Sequence, residues 1–234
     1  MLTSFRVLRA LIVAETRAAR TVPLLCGAAC CAVAAVVPVL VSAHPDTEAA
    51  ALLLRSCAVF AVTGVAFLLD DPAASSTAVT AVTRRTRRVV RLGAGALVPG
   101  VAWALAVGLI RVAMPEDRTL PWGGLAQEAL VLALLTVLLT LIGLRFTAGR
   151  SGSRVAAPAL VITLAIMVAL PGEVALFVSP TDADWHDAVV RWRFLGTGTA
   201  LGCLCLARDE PRYSMARSVA ADVPEAGRPG RLSA

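Results

Sequence analysis

Lysine is missing from this chain: all 22 of its basic residues are arginine. Charged residues of either sign make up only 16% of its 234 residues, where about a quarter is usual for a soluble domain. Tyrosine occurs once. Histidine occurs twice, at His44 and His186, and both lie between apolar stretches. Intramembrane hydrolysis needs a nucleophile and a base within the apolar segments. Those segments hold no histidine, no paired carboxylates and no cluster with metal-ligand spacing, so hydrolytic chemistry is not expected. The phosphate-cradling pattern G-x-x-x-x-G-K-[ST] is absent as well, and with it any expectation of a P-loop ATP site in this chain.

What the chain has in abundance is apolar surface, at 58% of residues and a mean hydropathy of +0.77. The apolar residues gather in six stretches, 22–43, 50–69, 92–114, 122–144, 155–178 and 188–207. Each is close to the ~20 residues that a helix needs to cross a bilayer. The expected fold is therefore an all-α integral membrane protein with six transmembrane helices and no room for a separate globular domain. A secretory leader ending at Val41-Ser42-Ala43 is the rival reading of the first stretch. Its apolar run is too long for a leader core and its polar lead too long for a leader start. All six cysteines (Cys26, Cys30, Cys31, Cys57, Cys203 and Cys205) fall inside apolar stretches, where a free thiol acts as a small hydrophobe.

Arginine placement orients these spans. Seventeen of the 22 arginines lie before the first span, between the second and third, between the fourth and fifth, and after the sixth. The opposite side holds at most Arg111, Arg118, Arg191 and Arg193, beside Asp46, Glu48, Glu116, Asp117, Asp182, Asp184 and Asp187. The positive-inside rule puts the arginine-rich loops and both termini in the cytoplasm of a bacterial plasma membrane. The net charge of +6 thus follows topology, and no nucleic-acid partner is expected. Trp122, Trp185 and Trp192 fall near span ends, where indole rings anchor at the interface. Trp103 is mid-span and expected to pack within the bundle.

Three cytoplasmic pieces stand out. Residues 1–21 place Leu2, Phe5, Leu8 and Ile12 on one helical stripe, with Arg6, Arg9, Arg17 and Arg20 mostly opposite. That is the pattern of an amphipathic helix lying on the inner leaflet. The loop 70–91 opens with Asp70, Asp71 and Pro72 and offers a short helix over 73–82. It closes with Arg84, Arg85, Arg87, Arg88 and Arg91, more basic residues than topology alone requires. They suit either anionic lipid headgroups or a protein partner. Residues 208–234, rich in Arg, Ala, Pro and Gly, have the composition of a disordered tail.

Six spans, cytoplasmic termini, an amphipathic N-terminal helix and a helical loop after the second span resemble the permease subunit of a type 2 ATP-binding-cassette exporter. In that family the first cytoplasmic loop docks on the nucleotide-binding subunit. The resemblance therefore implies ATPase docking through Asp70, Asp71, Arg84, Arg85, Arg87 and Arg88. It also implies ATP and magnesium held in a partner subunit with no cofactor in this chain, and a second permease copy or paralogue. The segment 171–187, PGEVALFVSPTDADWHD, resembles the short external or re-entrant helices between the family's last two spans. The resemblance is one of layout, without a signature motif.

Ionisable residues within spans are functional candidates by default. Arg55 is expected either to snorkel toward the outer headgroups or to face a cavity. Glu173, beside the Pro171-Gly172 break, is expected to line an exit, to pair with Arg111 or Arg191, or to be external and hydrated. Arg55, Pro171 and Glu173 are therefore the candidate pathway or gate residues. Glu128, early in the fourth span, reads as interfacial. Gly198 and Gly202 form a G-x-x-x-G, which in a chain this rich in small residues arises readily by chance. A non-transporting accessory or immunity-type membrane protein and a stand-alone carrier are the alternatives to a permease.

Overall fold

The computed structural model describes residues 21–40, 44–67, 84–116, 118–146 and 152–208. The predicted N-terminal helix, Asp70, Asp71, the candidate helix over 73–82 and the tail after Arg208 lie outside them. Among the described residues there are six α-helices and no strand. They are α1 (Thr21–Leu40), α2 (Thr47–Val65), α3 (Arg84–Ala113), α4 (Trp122–Phe146), α5 (Ser153–Ala169) and α6 (Trp185–Arg208), with a 3₁₀ turn at Gly172–Val174 after α5. Three segments are long and apolar enough to cross a membrane: Thr47–Val65, Gly95–Ala113 and Trp122–Phe146. Val22–Val37 and Ser153–Ala169 are shorter apolar helices.

Local chemistry sets the helix ends. The Asp46 carboxylate accepts the Ala49 N–H at 2.7 Å and caps α2, so that helix starts three residues before the expected span. Pro171 ends α5, because the residue before a proline is excluded from helical backbone; Leu170 is extended at ψ 134°. The expected fifth span, 155–178, is thus cut at Ala169. The largest departure is α3. Arg84, Arg85, Arg87, Arg88 and Arg91 are part of its first turns rather than a loop.

The helices form two groups. In the first, α1, α2 and α3 all pack on one another. In the second, α4 packs on both α5 and α6. The α2–α4 contact joins the groups. Cys31, Leu54, Cys57 and Ile110 fill the first core. Ala58, Val62, Leu132, Leu160 and Trp192 fill the second. The His44 ring, through Nδ1, meets the Ala113 carbonyl at 3.1 Å and ties the α1–α2 connection to the end of α3.

Outside these cores the bundle is apolar too. Leu25 and Val33 on α1, Leu97 and Leu105 on α3, Val161 and Ile166 on α5, and Phe194 and Leu201 on α6 are all more than half exposed. Apolar exposure on this scale is unsuited to water and suited to lipid.

Helices α1 and α2 meet backbone to backbone. A Cβ on Gly27 would lie 2.5 Å from the Phe60 carbonyl oxygen, and one on Gly64 would lie 2.8 Å from the Leu24 Cα. Glycine at both positions allows the close approach that membrane helices use to gain packing contacts. A Cβ on Gly198, by contrast, would meet nothing within 4 Å, whereas one on Gly202 would lie 3.0 Å from the Leu138 side chain. The Gly198–Gly202 pair is therefore not a packing motif within this chain. Gly64→Val should destabilise the purified protein by about 1–3 kcal/mol through overpacking, while Gly198→Ala should be neutral or slightly stabilising. Thermal unfolding in detergent reads both; equal midpoints for Gly64→Val and the parent would contradict the packing described.

Candidate functional site

Arg55 and Glu128 face each other across the α2–α4 contact. Arg55 Nε donates to Glu128 Oε2 at 2.8 Å, and Nη2 donates to Oε1 at 2.9 Å. This is the two-pronged geometry that a planar guanidinium offers a carboxylate. The side chains are 13% and 2% exposed. Two charges among apolar helices persist only when paired and further hydrogen-bonded. The further bond comes from Nη2 to the Val178 carbonyl at 2.7 Å. The guanidinium also lies 5.5 Å from the Phe177 ring centroid and 5.7 Å from that of Trp185, within cation–π range.

Val178 and Phe177 belong to the segment between the 3₁₀ turn and α6, which has no regular secondary structure. Without a helix to receive them, its carbonyls need side-chain donors. Arg191 Nη1 donates to the Ala175 carbonyl. Trp192 Nε1, fully buried, donates to the Leu176 carbonyl at 2.8 Å. Arg55 holds Val178. The hydroxyls of Ser179 and Thr181 donate to Glu48 Oε1 at 3.1 and 3.2 Å. The segment is therefore a strap tied to α2 by Arg55 and Glu48 and to α6 by Arg191 and Trp192. Its own Leu176 and Val178 are buried, and Phe177 meets Trp192 edge-on at 5.4 Å.

Beside this cluster, Gln127 Nε2 donates to the Val189 carbonyl at 3.0 Å, joining α4 to α6. Trp103 Nε1 donates to the Leu54 carbonyl at 3.3 Å, joining α3 to α2 one residue before Arg55. Trp103 thus packs within the bundle, as the sequence led us to expect.

Other sequence expectations are revised. Arg55 does not snorkel to headgroups; its charge is satisfied inside the protein by Glu128. Glu128, read from the sequence as interfacial, is among the most buried residues of the described chain. Glu173 is exposed in the 3₁₀ turn. The expected pairing of Glu173 with Arg111 or Arg191 is not made. Arg191 donates to the Ala175 and Asp187 carbonyls, and Arg111 lies over the Trp122 ring at 6.0 Å. Pro171 acts by ending α5. Trp185 lies against Arg55 and Trp192 in the second core, so both indoles make protein contacts that their place near span ends did not reveal. The strap's carbonyls were not legible as ligands of arginine. The available signal was two aromatic residues, Phe177 and Trp185, flanking a polar turn opposite a span that carries an arginine.

No family model matches the chain, and neither a curated protein nor a solved structure is similar to it.

Removing one partner of a buried pair strands the other's charge and costs about 3–5 kcal/mol. Arg55→Met and Glu128→Leu should each destabilise the protein by about that much, and the double variant should recover most of it. Unfolding in detergent across the double-mutant cycle tests this; purely additive losses would refute the coupling. A cysteine placed at Val178 should react with maleimide about tenfold faster when Arg55 is Met. A hydrogen bond to a charged group contributes roughly 1.5–3 kcal/mol, and 1.4 kcal/mol is tenfold.

Proposed function

We propose that this chain is the membrane-spanning permease subunit of an ATP-driven exporter, with its six helices as six spans and both termini in the cytoplasm of a bacterial plasma membrane. The observation that carries the reading is the shape of α3. Its apolar part is Gly95–Ala113, yet the helix begins at Arg84, about 16 Å earlier at 1.5 Å per residue. A helix that continues out of the membrane as an arginine-rich stalk can transmit force as a rigid body. Arg84, Arg85, Arg87 and Arg88, with Asp70 and Asp71 just upstream, then form the docking surface for a P-loop ATPase, which supplies ATP and Mg²⁺ chemistry. No catalysis is assigned to this chain itself.

The outward apolar faces of α1, α3, α5 and α6 support contact with lipid and with a second permease copy or paralogue. Helix α5, packed chiefly on α4, leaves most of its surface free for such a neighbour. A hydrophobic or amphipathic cargo suits an apolar path between two such subunits. The Arg55–Glu128 pair and the strap would close one end of that path, with Pro171 ending the helix that leads to the strap.

The expected result is co-purification of a P-loop ATPase, in near-equal amount, with the chain tagged at its C-terminus and extracted from native membranes in mild detergent. Changing Arg84, Arg85, Arg87 and Arg88 together to Ala should abolish that recovery while leaving the size-exclusion profile unchanged. Recovery of the chain alone, with no ATPase activity, would overturn the proposal in favour of a stand-alone carrier or a non-transporting accessory or immunity-type protein.

A further inference from the structure

Four of the six cysteines lie on α1 and α2. Cys26 and Cys30 are exposed, whereas Cys31 and Cys57 are both fully buried and face each other across the two helices. The Cys57 thiol donates to the Cys31 carbonyl at 3.4 Å, so its sulfur lies directly against residue 31 of the neighbouring helix. About one turn along, the backbones touch: Gly27, four residues before Cys31, abuts the carbonyl of Phe60, three residues after Cys57. A disulfide needs Cβ atoms about 3.5–4.5 Å apart, and a backbone-to-backbone crossing beside the Cys57–Cys31 contact is the kind of helix approach that permits it. Cys203 makes a useful contrast, since its thiol reaches the Leu134 carbonyl at 3.6 Å.

We propose that Cys31 and Cys57 form a redox-active dithiol that closes to a disulfide and staples α1 to α2, with a peroxide as oxidant. One thiol, as its thiolate, attacks the peroxide O–O bond and becomes a sulfenic acid as water leaves. The second sulfur then displaces the sulfenic hydroxyl as water, and the S–S bond forms. Two thiols are oxidised and one hydrogen peroxide is reduced to two waters; a thiol reductant reverses the bond by exchange. Cys57 is two residues from Arg55 on α2, so the staple immobilises the helix that carries the buried ion pair. The inference stands on the α1–α2 contact and is independent of any transport role.

The test uses the full chain in detergent, treated with hydrogen peroxide, alkylated and digested with trypsin. Because the chain has no lysine, cleavage follows arginine and places Cys31 in peptide 21–55 and Cys57 in peptide 56–84. The expected product is these two peptides joined, two hydrogens lighter than their sum and from protein that runs as a monomer. The link should vanish on reduction, in Cys57→Ser, and when the chain is denatured before oxidation. It should persist in Cys26→Ser/Cys30→Ser, which alters only exposed positions and leaves Cys31 as the one thiol of its peptide. Recovery of both peptides unlinked and alkylated from folded protein would overturn the proposal. So would a link that needs Cys26 or Cys30.

Discussion

An arginine and a glutamate set among apolar helices can each remain charged only while holding the other, and Arg55 and Glu128 are so held. Their pairing fixes more than two side chains. It sets the register of α2 against α4, the contact that joins the two helix groups. The same Nη2 that holds the carboxylate also grips the Val178 carbonyl through its second N–H. The irregular strap then has somewhere to attach, and the indole of Trp192 and the guanidinium of Arg191 complete its carbonyl partners from the other side. Hydrophobic burial has little preference between one apolar neighbour and another inside lipid. A directional, two-pronged contact supplies the specificity that greasy surfaces lack.

Close approach of small residues complements this polar clasp. Gly27 and Gly64 let α1 and α2 touch through their backbones, which places Cys31 and Cys57 side by side. Thr136 and Thr140, both fully buried on α4, donate back to the carbonyls one turn earlier, at 2.8 and 2.7 Å. Their hydroxyls are thereby satisfied without a partner helix. The described bundle is therefore held by a few polar bonds at chosen points and by dense contact elsewhere.

Sequence reasoning located helices well because apolar run length and charge placement are local properties. All six described helices overlap the expected stretches. Ends were less legible where a single residue decides them. Asp46 extends α2 backward by capping, and Pro171 truncates α5. The helical state of Arg84 to Arg91 was missed because a run of arginines signals topology, while its continuity with the apolar part of α3 is a matter of backbone propagation. Arg55 was legible as a candidate, but its partner was not. Glu128 lies 73 residues away, and no one-dimensional pattern says which acid on another helix will face a given base. The protein contacts of Trp185 and Trp192 were illegible for the same reason: an indole near a span end serves equally at a lipid boundary or in a core.

The separation of Arg55 and Glu128 along the chain has a consequence for biogenesis. Helix α2 leaves the ribosome long before α4 exists. At about 5–20 residues per second, the 73 intervening residues take roughly 4–15 s to synthesise. Throughout that interval α2 carries an uncompensated cation whose insertion at a helix centre costs about 2.5–3.5 kcal/mol. For a helix entering a bilayer, that cost favours waiting in the insertion machinery, or a shallow position with the guanidinium in the headgroups, until the glutamate arrives. The charge on α2 is thus compensated late, at a time set by the synthesis of its partner rather than by the helix's own hydrophobicity.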